Sequence, residues 1–503
     1  MFAYTGNPSF LTILHNYISI LMDKYFRLYE KVSNKLVADR SVNETKGANG
    51  VNILRKKDYE TYQAIKYGSG IKSASMTGST VMLIDLDLVK LVNQKDFANF
   101  PDRHPPSYHS DPSMNKMLSF ATGDEWKRLK SILTQAFSAS RIRRVNEGLH
   151  KTAMKLCDFI RFQLNEPVTE GSQQLEIVSP INKYLLELIA CSVFGLENTE
   201  IFVSNDSPFE IYTKQVQRAM IRHRQARQYP GLVQLAKLFN LFRPSAEALR
   251  FFEETIHRSI DKRMERGETG DDLLQLLMEA TSPDSKHNDG KLSTDMILSQ
   301  ALMFFFAGTE GPATLLVYGL YELAKNPDVQ QRLYDEIAPV MEMDNCIDDV
   351  TLTKLEYLDM FVCEVLRMYS SSVIARRCQS KYQLPGTDIV IQPGTNVHTP
   401  IYGIHHDEEY YPNPFSFNPD NFTEEAKRKR PSGAYLTFGT GPRACIAQKF
   451  GLIQGKSAIC HLVYNFHVKT CSRTESPPKG SIESMFLPIN GLWLTMDDRK
   501  NKI

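Results

Sequence analysis

The stretch FGTGPRACIAQKF, residues 438–450, decides the reading of this chain. Two glycines and a proline mark it as a loop, and the loop delivers Cys445 to the start of a segment, Ala447 to Phe466, that reads as a helix. A thiolate there faces the first backbone N–H groups of that helix, where unsatisfied donors and the positive end of the helix dipole stabilise negative charge. A cysteine so placed serves as a metal ligand or a nucleophile. The competing reading is an inert cysteine packed beside a turn as a small hydrophobe. The surrounding residues decide between them.

Phe438, Gly441, Arg443 and Cys445 stand at the spacing F-x-x-G-x-R-x-C. The pattern is specific and resembles the cysteine-ligand loop of the haem-thiolate monooxygenases, the cytochrome P-450 superfamily. The resemblance implies that Cys445 is the axial ligand to the iron of haem b, where a thiolate pushes electron density onto the metal and favours O–O cleavage. It further implies that Arg443 meets a haem propionate and that Phe438 packs near the sulfur. One departure is Ala447, where the family usually has glycine; a single methyl at a close helix contact implies tighter packing with haem retained.

Length alone would allow about three domains, but no Pro/Gly/Ser-rich linker divides the 503 residues, so one large unit is expected. Apolar residues make up 42% and charged residues 23%, as in a globular protein with a sizeable core. A net charge of +1 gives no reason to expect nucleic acid as a partner. The eight cysteines, Cys157, Cys191, Cys346, Cys363, Cys378, Cys445, Cys460 and Cys471, form no C-x-x-C pair. That argues against a disulfide framework and a zinc site, and for a reducing compartment.

Residues 1–56 are the least readable part. Phe10, Leu11, Ile13, Leu14, Ile18, Ile20 and Leu21 are interrupted by His15, Asn16, Asp23 and Lys24, well short of the roughly 18 apolar residues of a spanning helix. An amphipathic surface helix and an ordinary packing helix fit this segment equally. Microsomal members of the family usually begin with a membrane anchor and a proline-rich hinge, and neither is clear here. From about Lys57 the resemblance is continuous, so residues 57–503 are expected to form a single catalytic domain. Tyr59 to Tyr67 reads as a helix, Thr80 to Ile84 as a strand, and Pro105 to Lys116 as a polar loop that the resemblance places over the haem.

GDEWKRLKSIL, from Gly123, puts Trp126 and Lys130 on one helical face. The family offers a tryptophan and usually an arginine to the propionates from this helix; Lys130 keeps the charge without the planar fork. Lys127, Arg128, Arg141, Arg143 and Arg144 form a basic patch on the side of the haem where the resemblance puts an electron donor, and an acidic flavoprotein reductase fed by NADPH is the implied partner. Arg218 to Arg243 is basic first and apolar afterwards, broken at Pro230 and Gly231. A lid against a membrane surface and a buried helix pair both fit it.

A long helix is predicted from Ser293 and Thr294 to about Lys325. Its middle, FFFAGTEGPATLL from Phe304, resembles the oxygen-binding helix of the family: Ala307, Gly308 and Glu310 match, but Gly311 stands where threonine is usual, and Pro312 follows. Proline removes the N–H that the Gly308 carbonyl would accept, so the helix is expected to bend or open here. Thr309 is no substitute, because it faces another side. Three readings follow for Glu310 and Gly311. A water held by the freed carbonyl and Glu310, or a hydroxyl on the substrate, replaces the threonine in delivering protons. Alternatively, the substrate is a peroxide that is rearranged without a reductase, or the protein binds haem or a hydrophobe with little turnover.

Glu364 and Arg367 match the family's structural E-x-x-R pair, which locks the core behind the haem, although alone they are an everyday i,i+3 pair. Asn421 stands where a third, cationic partner is usual, and its amide can still bond Glu364. Arg376 matches a propionate-binding arginine. Ile389 to Ile391 with Asn396 to His398 suggest a second small sheet, Lys449 to Phe466 a helix, and Ser484 to Met496 a hairpin with its turn at residues 488–491. IHHDEEYYPNP, residues 404–414, resembles the microsomal animal branch. The expectation is a mainly α fold with small β-sheets, a long central helix over the haem and the cysteine loop beneath it. Its implied work is oxidation of a lipophilic small molecule with O2 and reductase-supplied electrons, at the cytoplasmic face of the endoplasmic reticulum membrane.

Overall fold

The structure, a computed structural model, describes residues 53–68, 74–77, 80–103, 112–165, 174–196, 199–204, 207–226, 245–267, 269–270, 272–281, 293–343, 347–370, 373–478, 487–488 and 490–499. The expectations for residues 1–52, for the loop at 104–111, for the lid beyond residue 226 and for 484–486 lie outside these residues.

Eleven principal helices carry the fold among the described residues. They are α1 (Ile53–Tyr67), α2 (Gly123–Thr134), α3 (Ala139–Asn165), α4 (Val178–Phe194), α5 (Pro208–Ala226), α6 (Ala246–Arg266), α7 (Leu273–Thr281), α8 (Thr294–Lys325), α9 (Pro327–Met343), α10 (Glu356–Met368) and α11 (Gln448–Asn465). The first begins at Ile53, earlier than Tyr59. Within the loop expected at 105–116, Pro112–Asn115 forms a helical turn.

The central helix is α8, and its ends are written in the sequence. The Ser293 side chain accepts from the Met296 N–H at 3.3 Å and Asp295 sits in the positive first turn. Asn326 caps the other end, and Pro327 opens α9, where its missing N–H costs nothing. A helix apolar on all sides is stable only when surrounded. Although α8 is long and apolar enough to cross a membrane, 72% of its most apolar window is buried inside the protein. It packs against α4, α10 and α11 as the axis of the main core.

The strands form three small sheets. In the first, of order β1-β2-β7-β4, β2 (Thr80–Leu83) pairs antiparallel with β1 (Ala74–Thr77) and parallel with β7 (Asn396–Pro400), which pairs antiparallel with β4 (Val373–Arg377). Asn396 to His398 therefore belongs to this sheet. The expected partnership with Ile389 to Ile391 does not form, because β6 (Val390–Ile391) pairs with β5 (Tyr382–Gln383) instead. In the third sheet, β9 (Trp493–Asp498) lies between β3 (Gln174–Glu176) and β8 (Phe466–Thr470). The expected turn at 488–491 is present, with the Gly491 N–H on the Pro488 carbonyl at 3.2 Å. Among the described residues, the strand after it pairs with those two distant segments and not with the chain before the turn. A second core cluster lies between α1 and the first sheet.

Candidate active site

The cysteine loop is held by hydrogen bonds that need its glycines. Gly439, at φ +72°, turns back so that its N–H reaches the Leu436 carbonyl at 2.8 Å, and the Cys445 N–H closes the loop on the Phe438 carbonyl at 2.8 Å. At Gly441, φ +73°, a Cβ would stand 1.9 Å from the Asn93 carbonyl oxygen. The π-helical stretch Leu91–Lys95 thus packs directly on the loop backbone, an approach that only glycine permits. Cys445 keeps an exposed face. Burial on its other sides pushes the thiol up, while the Ala447 N–H and the Arg103 cation pull it down. The N–H donation expected from the helix start is present, but desolvation outweighs it. In the protein alone, the sulfur is held toward its protonated form until a cation offsets the burial.

Beside the sulfur, four cations converge. Trp126, buried on α2, carries the Arg443 guanidinium over its ring at 4.0 Å and Lys130 Nζ at 5.4 Å. Arg443 donates through Nε to the Pro101 carbonyl at 2.8 Å and through Nη2 to the Ala121 carbonyl at 2.9 Å and Asp102 at 3.3 Å. Its Nη1 donates to the Leu118 carbonyl at 3.3 Å. Lys130 donates to the Pro442 carbonyl, and Arg103 to the Arg443 carbonyl at 2.6 Å. Arg376, 2% exposed, comes from β4 on the same face as Ile374. It donates to its neighbour's carbonyl at 2.8 Å and more distantly to the Thr440 carbonyl, and its buried Nε has no partner.

Burial holds every one of these cations low, and for Arg376, Arg443 and Lys130 repulsion from neighbouring cations adds to it. Arg376 is pushed down to about 9 by burial and then by Arg103 and Arg443; Arg443 is pushed down to about 9 by burial and then by Arg103. Lys130 is lowered for the same reasons and Arg103 by burial. Among the described residues, Asp102 is the one carboxylate in contact with the group. Arg103 and Asp102 were missed at the level of sequence, where they read only as the end of DFANFPDR; their burial beside Pro101 is the feature that marks them.

On α8, Gly308 is required by close packing, since a Cβ would lie 2.5 Å from Ile189 Cδ1 on α4. Ala307 and Gly311, one turn apart, are the exposed positions in this part of the helix, and a Cβ at Gly311 would meet nothing within 4 Å. Thr309 faces away as expected, donating to the Phe305 carbonyl at 2.8 Å and accepting from Gln217 of α5 at 3.1 Å. The expected opening at Pro312 is absent: α8 is one continuous helix through it. Proline costs a single bond, and the flanking turns remain hydrogen-bonded, with Thr314 adding a bond from its hydroxyl to the Glu310 carbonyl at 3.0 Å.

Behind the loop, Glu364 and Arg367 are both fully buried and meet through two parallel bonds, at 2.7 and 2.8 Å. Glu364 also accepts from the Asn418 N–H at 2.9 Å and from the Asn421 amide at 3.1 Å, as the sequence suggested.

The family model for cytochrome P450 matches residues 55–495. The chain belongs to the cytochrome P450 family. It is 32% identical to cytochrome P450 9e2 of Blattella germanica over 487 residues, 91% of each chain. It is 31% identical to the probable cytochrome P450 6a13 of Drosophila melanogaster over 83% of each chain, and 32% identical to cytochrome P450 6k1 of Blattella germanica over 82% of each. It is accordingly a haem-dependent monooxygenase that oxidises a lipophilic small molecule, using haem b, O2 and NADPH-derived electrons delivered by a reductase. Membership beside these insect proteins associates it with the endoplasmic reticulum. The residues described above fit a P450 haem, which carries two propionates. Four half-buried or buried cations share one carboxylate, and a buried arginine N–H has no acceptor. A dianion supplies what this cluster lacks.

Proposed function

We propose that Cys445 is the axial ligand of the haem iron, that Trp126, Lys130, Arg376 and Arg443, joined by Arg103, hold the propionates, and that Phe438 packs beside the sulfur. The single observation that carries this reading is the unpartnered Nε of Arg376 within a cation cluster next to an exposed cysteine. When bound, the haem supplies the activation of dioxygen. The protein's part is to orient it by neutralising its carboxylates, to present Ala307 and Gly311 toward the substrate side, and to hold a proton donor near Glu310. The test is a carbon monoxide difference spectrum of the reduced protein. A strongly red-shifted Soret band is expected, and its absence from folded, haem-loaded protein would overturn the ligand assignment.

With glycine at 311, the donor is a water near Glu310 or a hydroxyl carried by the substrate. Replacing Gly311 with threonine tests this, because the added Cβ has open space. A positioned acid contributes about 10²–10⁴-fold. Since an alternative donor already works here, the expected gain in product per NADPH is below that scale, about tenfold. No NADPH-dependent product from either protein, with rearrangement of an added organic peroxide, would replace the monooxygenase assignment by the peroxide one; neither activity would leave a binding protein.

The proposed docking face for the reductase includes Lys127 and Arg143, both exposed, with Arg128 and Arg141 half-buried beside them. Asp124 and Glu279 pair with Lys127 and Arg141 at 2.8 and 3.4 Å, so the patch is buffered and its effect on association is salt-dependent. The catalytic domain is proposed to begin with α1, which runs across the boundary expected at residue 57, with the segment before it as a candidate for membrane association, and to work at the cytoplasmic face of the endoplasmic reticulum membrane.

A further inference from the structure

Among the described residues, the buried ion pair Glu364–Arg367 spends its hydrogen bonds on His405, Pro414, Asn418 and Asn421 and reaches the loop Leu436–Cys445 only indirectly. The connection runs through His405. This residue ends the short helix Ile401–His405, is fully buried, and exchanges two bonds with Arg367: the Arg367 guanidinium donates to the His405 carbonyl at 2.7 Å, and the imidazole Nδ1 lies 3.1 Å from the Arg367 carbonyl. On the opposite edge of the ring, the Leu436 N–H reaches Nε2 at 2.8 Å.

These two bonds fix the tautomer. A backbone N–H can only donate, so Nε2 must accept; a carbonyl can only accept, so Nδ1 must carry the proton. A doubly protonated ring would set one N–H against another at Leu436. Burial, with Arg367 and Arg430 close by, pushes the imidazole down to about 3, so the ring is neutral at ordinary pH. The ring also stacks on Tyr435 at 5.5 Å and 12°. The Leu436 that His405 holds is the residue whose carbonyl receives the Gly439 N–H, the turn from which the chain proceeds to the Phe438–Cys445 closure. A second and weaker tie, Thr437 to the Leu366 carbonyl at 3.3 Å, joins the same loop to α10.

We propose that His405 is a positioning residue for the cysteine loop, transmitting the order of the Glu364–Arg367 pair to the backbone that presents Cys445. The inference rests on Cys445 as the iron ligand. Two amide substitutions separate its two bonds. His405→Gln places an acceptor near the position of Nε2 and keeps the Leu436 link; His405→Asn places a donor near Nδ1 and keeps only the Arg367 link. Each loses one internal hydrogen bond; asparagine is also one methylene shorter and leaves space beside Tyr435 at this fully buried site, so the urea midpoint measures that general loss separately.

The readout is the rate at which the reduced carbon monoxide complex loses its thiolate-type Soret band on mild heating, together with the urea midpoint of the same proteins. His405→Asn is expected to lose the band about fivefold faster than His405→Gln, the factor for one hydrogen bond, beyond whatever its lower urea midpoint accounts for. Equal rates for the two, or rates equal to that of the unsubstituted protein, overturn the proposal. Hydrogen exchange of the Leu436 amide in the unsubstituted holoprotein gives a check independent of folding of the variants: strong protection is expected, and fast exchange overturns the link. An unsubstituted protein without a thiolate-type band would instead refute Cys445 as ligand, and the Leu436 exchange would still report on His405.

Discussion

Replacing Glu364 by alanine is expected to destabilise the holoprotein by about 3–5 kcal/mol, the range for leaving one member of a buried pair behind. The side chain it abandons has no route to water. Arg367 is fully buried, and while its Nη1 keeps the His405 and Pro414 carbonyls at 2.7 and 2.8 Å, its Nε and Nη2 lose both carboxylate oxygens. The Asn418 N–H and the Asn421 amide lose their acceptor as well. Each buried donor left unsatisfied costs about 1–3 kcal/mol. Glu364→Gln preserves one oxygen and the shape, so it is expected to cost less, about 1–3 kcal/mol, with Arg367 still lacking its counter-charge. Urea unfolding at constant m-value measures both. A loss for the alanine variant below about 1 kcal/mol would mean that water or a neighbouring group re-pairs Arg367, contrary to the packing around it.

What the sequence made legible follows from how local the signal is. The cysteine loop is a contiguous run in which Gly439, Gly441 and Cys445 each have one backbone task, so its geometry could be anticipated from spacing. The ends of α8 were equally legible, because Ser293, Asp295, Asn326 and Pro327 act on the nearest turn. Asn421 was matched to Glu364 through the family resemblance, at the position where a cationic third partner is usual, and its amide does bond that carboxylate. Strand pairing was not legible: Asn396 to Pro400 alternates like any short strand, and its partners Thr80–Leu83 and Val373–Arg377 are chosen by the tertiary core. The predicted opening at Pro312 failed because a single lost N–H is a small defect in a helix packed by α4, α10 and α11. Arg103 was overlooked because an isolated arginine in the stretch Pro101-Asp102-Arg103 has no periodicity to betray it; only burial beside Arg443 distinguishes it. The net rise of the Cys445 thiol escaped prediction for a related reason, since dipole and N–H are visible in a sequence and desolvation is not.

Arg376→Met should move two quantities in opposite directions. In the haem-free protein, Arg376 is a cost: it is 2% exposed, its Nε has no partner, and burial with the nearby Arg103 and Arg443 pushes it down to about 9. Methionine fills comparable length without the charge, and apolar replacement of buried charges is often stabilising by about 1–4 kcal/mol; with one charge of a larger cluster removed, the expected gain is about 1 kcal/mol. In the haem-bound protein, the same arginine is the donor proposed for a propionate. Losing a hydrogen bond to a charged group costs about 1.5–3 kcal/mol, so haem should leave about 10–100-fold faster to a scavenger. Arg376→Lys should fall between, since a lysine keeps the charge but offers no second nitrogen for a fork. The measurements are the urea midpoint of the haem-free protein and the rate of haem transfer. If both stability and haem retention fall, Arg376 is a strut of β4 whose bonds to the Ala375 and Thr440 carbonyls matter most. If haem retention is unchanged, the propionates are held by the other cations, and the unpartnered Nε loses its meaning as a mark of the missing anion. A gain in one with a loss in the other is the outcome that only an unanswered positive charge waiting for its ligand produces.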